Sequence, residues 1–174
     1  MYFEAYSMSS YEVNLSKMER FIRAHIQHYS ENKYWSRREK VISPQRGLSK
    51  CLNYARLLYI KRCDAFNNAS TGTHLGFGAQ FQTPPKLPHG LYGIIISHNA
   101  VIGSNCTIFH QVTIGEGKGG APIIGDNVLI GAGAKIVGNI RIGSNSRIGA
   151  NAVVVSDVPA NSVVVAPEGN VLRK

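Results

Sequence analysis

From residue 96 onward the chain keeps a six-residue period, and that period restricts its fold more than any other feature. The frames read Ile96-Ser-His-Asn-Ala-Val, Ile102-Gly-Ser-Asn-Cys-Thr, Ile108-Phe-His-Gln-Val-Thr and Ile114-Gly. After an interruption they resume at Ile124, Ile130, Ile136, Ile142, Ile148 and Val154. Each frame opens with Ile or Val, and the fifth place is nearly always small or β-branched. An amphipathic helix repeats its apolar residues every three to four positions and a half-buried strand every two. A period of six fits neither, but it fits a solenoid of short parallel strands whose first-place residues point inward and stack coil on coil. Gly or Asn near the corners permits backbone conformations that a β-branched residue resists. Each coil leaves strand edges that only the next coil satisfies, so the repeats are stable as an array.

The period divides the chain into a helical segment, residues 1–70, and a β-helix domain, residues 71–174. In the first, Met18, Phe21, Ile22 and His25 fall at helical spacing. Ser43-Pro44 breaks the chain, and Leu48, Cys51, Leu52, Ala55 and Leu58–Tyr59 then form the stripe of a second helix. These helices are open to three roles: packing on top of the solenoid, further assembly, or peripheral contact with an anionic membrane. Leu75–Phe81 reads as an early, degenerate frame. Loops are expected near 82–93, where three prolines fall, and at 115–123.

Composition excludes several classes. The 174 residues are 44% hydrophobic and 17% charged, which suits a globular core. The net charge of +9 is carried mainly by the helical segment, with 12 Lys/Arg against 6 Asp/Glu. No recognition-helix or RNA-binding pattern accompanies it, so nucleic acid is not expected as a partner. Cys51, Cys63 and Cys106 form an odd set without zinc-ligand spacing, which suits a reducing compartment. The first residues lack a basic region followed by an apolar run, and no apolar stretch is long enough to span a bilayer. The expected location is cytoplasmic.

Four segments, GIIISHNAVIG, TIFHQVTIGEGKGG, VLIGAGAKIVGNIRIG and SRIGANAVVVSDVP, make the chain resemble the hexapeptide-repeat acyltransferases. Within them it is most similar to the serine acetyltransferases and the related capsular polysaccharide O-acetyltransferases. The resemblance implies a mainly β fold, a left-handed parallel β-helix with an N-terminal α-helical segment, and homotrimers with active sites between neighbouring β-helices. It also implies transfer of an acetyl group from acetyl-CoA, as co-substrate, directly to a hydroxyl, with a histidine as general base and no metal.

Two histidines compete for that role. His89, in Leu87-Pro88-His89-Gly90, matches the family's base by its place before Gly93-Ile94-Ile95-Ile96, although it falls within a local insertion. His110 holds the third place of its frame, as do Ala132 and Ala150. With about 18 residues to a coil, and a four-residue excess in the 115–123 loop, these three stack at one corner. The resemblance lays the pantetheine arm along Ala132, Gly133 and Ala150, and puts Gly115, Glu116 and Lys118 beside the CoA channel. It leaves Lys118, Lys135 and Arg147 as candidates for the CoA phosphates. Each histidine could equally be an ordinary loop or corner residue, and each cation a solvated charge.

Two departures bear on the acceptor. Serine acetyltransferases carry an Asp that orients the base, yet between Lys40 and Gly115 this chain has only Asp64. The Arg-His pair that follows their Gly-Lys-Gly loop is also absent, since Gly119-Gly120-Ala121-Pro122 runs straight into Ile123. Both favour a sugar or glycan hydroxyl over L-serine, with serine as the alternative. A zinc enzyme that shares the fold and holds its metal through three histidines across a trimer interface is a further reading, for which His89, His98 and His110 are poorly matched in spacing. A non-catalytic β-helical scaffold is the last.

Overall fold

The computed structural model describes residues 18, 24–26, 28–43 and 50–167. Within them the repeat builds three parallel walls. The first holds β4 (Ile95–Ile96), β7 (Thr113–Gly115), β10 (Lys135–Val137) and β13 (Val153–Val154). The second holds β3 (Gln80–Phe81), β5 (Val101–Ile102), β8 (Ile123–Ile124) and β11 (Arg141–Ile142). The third holds β6 (Thr107–Ile108), β9 (Leu129–Ile130), β12 (Arg147–Ile148) and β14 (Val163–Val164). Successive frames visit the walls in turn, so within the three walls sequence neighbours do not pair and each ladder joins one coil to the next.

The register follows the frames. Ile136 pairs with Val154 and Ile124 with Ile142, each 18 residues on, while Ile114 pairs with Ile136 across 22 because the 116–119 excess intervenes. The first-place residues Ile96, Ile102, Ile108, Ile114, Ile124, Ile130, Ile136, Ile142 and Ile148 are all buried, as the period predicts. Fifth places such as Ala100, Cys106, Val112, Val128, Ala134 and Ala152 fill the space between them. The corners turn on fourth-place residues with positive φ. These are Asn105, Asn127 and Asn145 between the second and third walls, and Gln111, Gly133 and Asn151 between the third and first. Asn adopts this region more readily than most residues, and its amides form a ladder: Asn127 Nδ2 donates to Asn145 Oδ1, and Asn145 Nδ2 to Asn161 Oδ1, both at 3.2 Å.

The first coil departs from what the sequence suggests. Leu75 opens no frame; Thr73–His74 (β1) and Phe77–Gly78 (β2) form an antiparallel hairpin that leaves the wall, with Gly76 at φ +86 in its turn. The coil itself runs from Ser70, which bridges Ile95, to β3. The expected 82–93 loop is also shorter, because Lys86 bridges Thr107 and the third wall continues to that point. The three excess residues fold as turns between Pro88 and Gly93.

Helices α1 (Glu31–Ile42) and α2 (Lys50–Phe66) cover this first coil. Helix α1 ends where Ser43-Pro44 predicts, but the chain also breaks at His28–Ser30, with His28 at φ 50, which the apolar spacing does not reveal. The expected α2 stripe faces outward: Cys51, Leu52, Ala55 and Leu58 are exposed, while Asn53, Ile60, Cys63 and Asp64 are buried. Phe21, Ile22 and Leu48 lie outside the described residues.

The docked face combines an apolar cluster, in which Tyr34, Trp35, Val41, Ile60 and Cys63 pack with Leu91, with a set of buried hydrogen bonds. Arg38, from α1, donates to Thr73 Oγ1 at 2.9 Å, Thr71 O at 3.0 Å and Ala79 O at 2.6 Å. Its guanidinium lies 4.6 Å over the Phe81 ring, and Trp35 packs edge-on to the same ring. The Tyr34 hydroxyl bonds Asp64 Oδ1 at 2.6 Å and shares a 2.6 Å contact with Thr71 Oγ1. These groups satisfy an edge that would otherwise expose unpaired backbone.

Asp64 Oδ2 has no hydrogen-bond partner, and burial pushes the carboxyl up to about 6, although the Tyr34 hydroxyl opposes the rise. A raised folded-state value means that this group's contribution to stability is complete below pH ~4 and is lost as pH climbs through about 6. At most about 3 kcal/mol is at stake. We expect denaturant midpoints to fall between those pH values in the native sequence, and that component of the fall to be absent in Asp64→Asn.

Candidate functional site

The corner between the third and first walls brings the strongest candidates together. His110 O accepts from Gly133 N at 3.0 Å, and Ala132 O accepts from Asn151 N at 2.8 Å. His110, Ala132 and Ala150 therefore form one column, as counting along the frames requires. Below His110 the column continues with the methyl groups of Ala132, half-buried, and Ala150, exposed. Gly131 shows how closely its coils approach: a Cβ on it would lie 2.6 Å from Ala150 N.

His89 reaches the same corner by another route. Counting forward from Lys86 and Thr107 sets it over His110, but the backbone directly above is that of Tyr92, whose carbonyl accepts from Gln111 N at 2.9 Å. The excess residues thus bulge outward at the top of the column and carry His89 with them. Its ring meets that of His110 edge-to-face, with centroids 4.8 Å apart and planes at 83°. Phe109 flanks it at 5.8 Å.

The two imidazoles differ in setting. His89 is exposed, whereas His110 is half-buried and its Nδ1 is fully enclosed without a hydrogen-bond partner. Among the described residues no carboxylate hydrogen-bonds either ring. The chemistry on offer is two imidazoles above a column of small residues, with no carboxylate hydrogen-bonded to either among the described residues.

The other candidates are divided between places. Lys135 is on the first wall beside this corner, and its Nζ donates to Gln111 O at 2.7 Å. Arg147 is on the third wall, on the strand that leads into Ala150. Gly115, Glu116 and Lys118 lie elsewhere, at the edge between the first and second walls. Glu116 fastens that loop to the coil above by accepting from Ser97 Oγ at 3.2 Å and Asn99 Nδ2 at 3.1 Å. His98 shares that edge, 5.5 Å from His74 and 5.7 Å from Phe77. The three histidines needed for zinc therefore do not converge within one chain. What counting alone misses is Tyr92: only the pairing of Gly93 over Gln111 reveals which residue tops the column, because the insertion can be placed on either side of His89.

Residues 121–156 match the bacterial transferase hexapeptide (six repeats) family. A serine acetyltransferase of Staphylococcus aureus is 39% identical over 129 residues, covering 72% of this chain and 60% of that protein. The Neisseria gonorrhoeae serine acetyltransferase solved in complex with serine is 34% identical, with a TM-score of 0.55, covering 86% of this chain and 54% of that one. The Brucella abortus serine acetyltransferase solved with coenzyme A is 28% identical, with a TM-score of 0.57, covering 85% and 54%. The chain thus spans about three-fifths or less of the length of these relatives.

The closeness of the coils gives a direct test of the column. Gly131→Val places bulk against the backbone of Gly149 and Ala150, and overpacking of this kind costs about 1–3 kcal/mol. A lowered thermal midpoint with the β signal retained below it is the expected outcome.

Proposed function

We propose that this chain, a hexapeptide-repeat β-helix similar to the serine acetyltransferases, transfers an acetyl group from acetyl-CoA to an acceptor hydroxyl. The observation that carries this is the pairing of His89 and His110 at the head of the Ala132–Ala150 track. A general base with a near-neutral unperturbed value is what deprotonation of an alcohol at pH 7 requires. His89 accepts the hydroxyl proton as the oxygen attacks the thioester carbonyl. The tetrahedral oxyanion collapses, the C–S bond breaks, and the departing thiolate takes up the proton. No covalent intermediate on the protein is needed.

The track accommodates the pantetheine arm, and Lys135 and Arg147 stand within the same two walls to meet anionic groups. The loop at Glu116–Lys118 sits at a different edge of the prism. It could flank the same acetyl donor only if a neighbouring chain supplied it, which is the reason to propose a homotrimer.

The relatives are named for serine, so L-serine is the acceptor assigned first, in place of the glycan that the sequence departures favour. A sugar hydroxyl remains the second reading on one observation: neither imidazole has a carboxylate beside it among the described residues, and so none is on hand to pair with a serine ammonium group. Thiol release from acetyl-CoA, measured with L-serine and with a panel of sugars, decides between them. Turnover with serine alone supports the first reading, and turnover with sugars alone supports the second. No turnover with any acceptor, and no CoA binding by calorimetry, would contradict both.

His89→Ala is expected to lower kcat by roughly 10²–10⁴-fold, the usual contribution of a general base. Ala150→Phe fills the track without touching the imidazoles. We expect it to raise KM for acetyl-CoA at least about tenfold, as loss of some 1.4 kcal/mol of binding would, while KM for the acceptor changes little.

A further inference from the structure

We propose that His110 acts as a hydrogen-bond donor rather than as a second base, its Nε2–H holding the thioester carbonyl oxygen as negative charge builds there. This role rests on the acetyl-transfer reading. A neutral imidazole carries one N–H and one bare nitrogen. A histidine that accepts a proton at Nε2 must keep its own proton on Nδ1, and such histidines normally have an acceptor in place for it. Nδ1 of His110 is enclosed and has no partner. Orphaned buried N–H groups are the rarer and costlier kind of unsatisfied polar group. The proton therefore belongs on Nε2, the outer nitrogen, which makes that atom a donor and leaves it no lone pair with which to accept.

His89 is under no such constraint. It is exposed, and neither of its nitrogens is among the enclosed, unpartnered atoms. The edge-to-face contact at 4.8 Å sets donor and base side by side at the head of the track. One group can then serve the carbonyl oxygen while the other serves the attacking hydroxyl. Donors fixed in advance where an oxyanion develops are among the largest contributors to acyl transfer.

Substitutions that mimic one nitrogen at a time provide the test, because a Gln amide nitrogen falls near the place of Nε2 and an Asn amide near that of Nδ1. We expect H110Q to keep kcat within about fivefold of the native chain, and H110N and H110A to lose about 10²-fold or more, as loss of one oxyanion donor does. H89Q, which cannot act as a base, should be at least as impaired as H110A. An H110Q variant as inactive as H110A, with H89Q still active, would overturn the assignment and make His110 the base. ¹⁵N NMR of the histidine-labelled full chain reads the same question without turnover: an Nε2–H tautomer at His110 is expected, and an Nδ1–H tautomer would overturn the proposal. Should the native chain transfer acetyl to no acceptor, the acetyl-transfer reading fails, and the tautomer still decides whether His110 is a donor.

Discussion

Everything in this protein depends on one coil lying squarely on the next. The walls are only two or three residues wide, so no strand could persist alone; each is held by N–H to O=C bonds to the coil above and below and by an Ile standing on another Ile inside. That superposition fixes the corners as well. Where Gly131 approaches Ala150 there is no space for a side chain. A functional column is the natural product of such a fold: whatever occupies the third place of one frame is copied in space down the prism. Here that place reads His110, Ala132, Ala150, a reactive group above a smooth track.

A stack also has an end, and its first coil would expose an unpaired edge. Arg38 closes it by binding the carbonyls of Thr71 and Ala79 together with the hydroxyl of Thr73, at the cost of burying a charge. Burial lowers that guanidinium to about 10 and lifts the Asp64 carboxyl, while Tyr34 links Asp64 to Thr71. Breaking one member of such a network leaves the others unsatisfied, which makes the docking of α1 and α2 specific rather than merely adhesive. The same coil carries His89 at its far end, so the polar cap and the candidate base belong to one structural unit.

The walls, the buried isoleucines and the column of His110, Ala132 and Ala150 were legible because each follows from counting by six and eighteen. What was not legible arises where the count slips. Three extra residues between Pro88 and Gly93 can be assigned before or after His89, and only backbone pairing shows that Tyr92 takes the position over His110. The Thr73–Gly78 hairpin resembles a frame in the sequence because Leu75 and Phe81 sit six apart. Helix α2 differs for another reason: its apolar stripe is plain in the sequence, yet the face that turns inward carries Asn53, Ile60, Cys63 and Asp64, with Ile60 and Cys63 in the apolar cluster and Asp64 bonded by the Tyr34 hydroxyl. The break at His28–Ser30 combines a positive φ at His28 with extended backbone at Ser30, for which apolar periodicity carries no signal.

On the reading proposed above, the corner below His89 and His110 receives the acetyl donor. A crystal structure of the full chain grown with coenzyme A tests it most directly. The pantetheine arm is expected along Ala132 and Ala150, with the sulfur at the two imidazoles. Coenzyme A seated on another edge of the prism, with the His89–His110 corner empty, would contradict it.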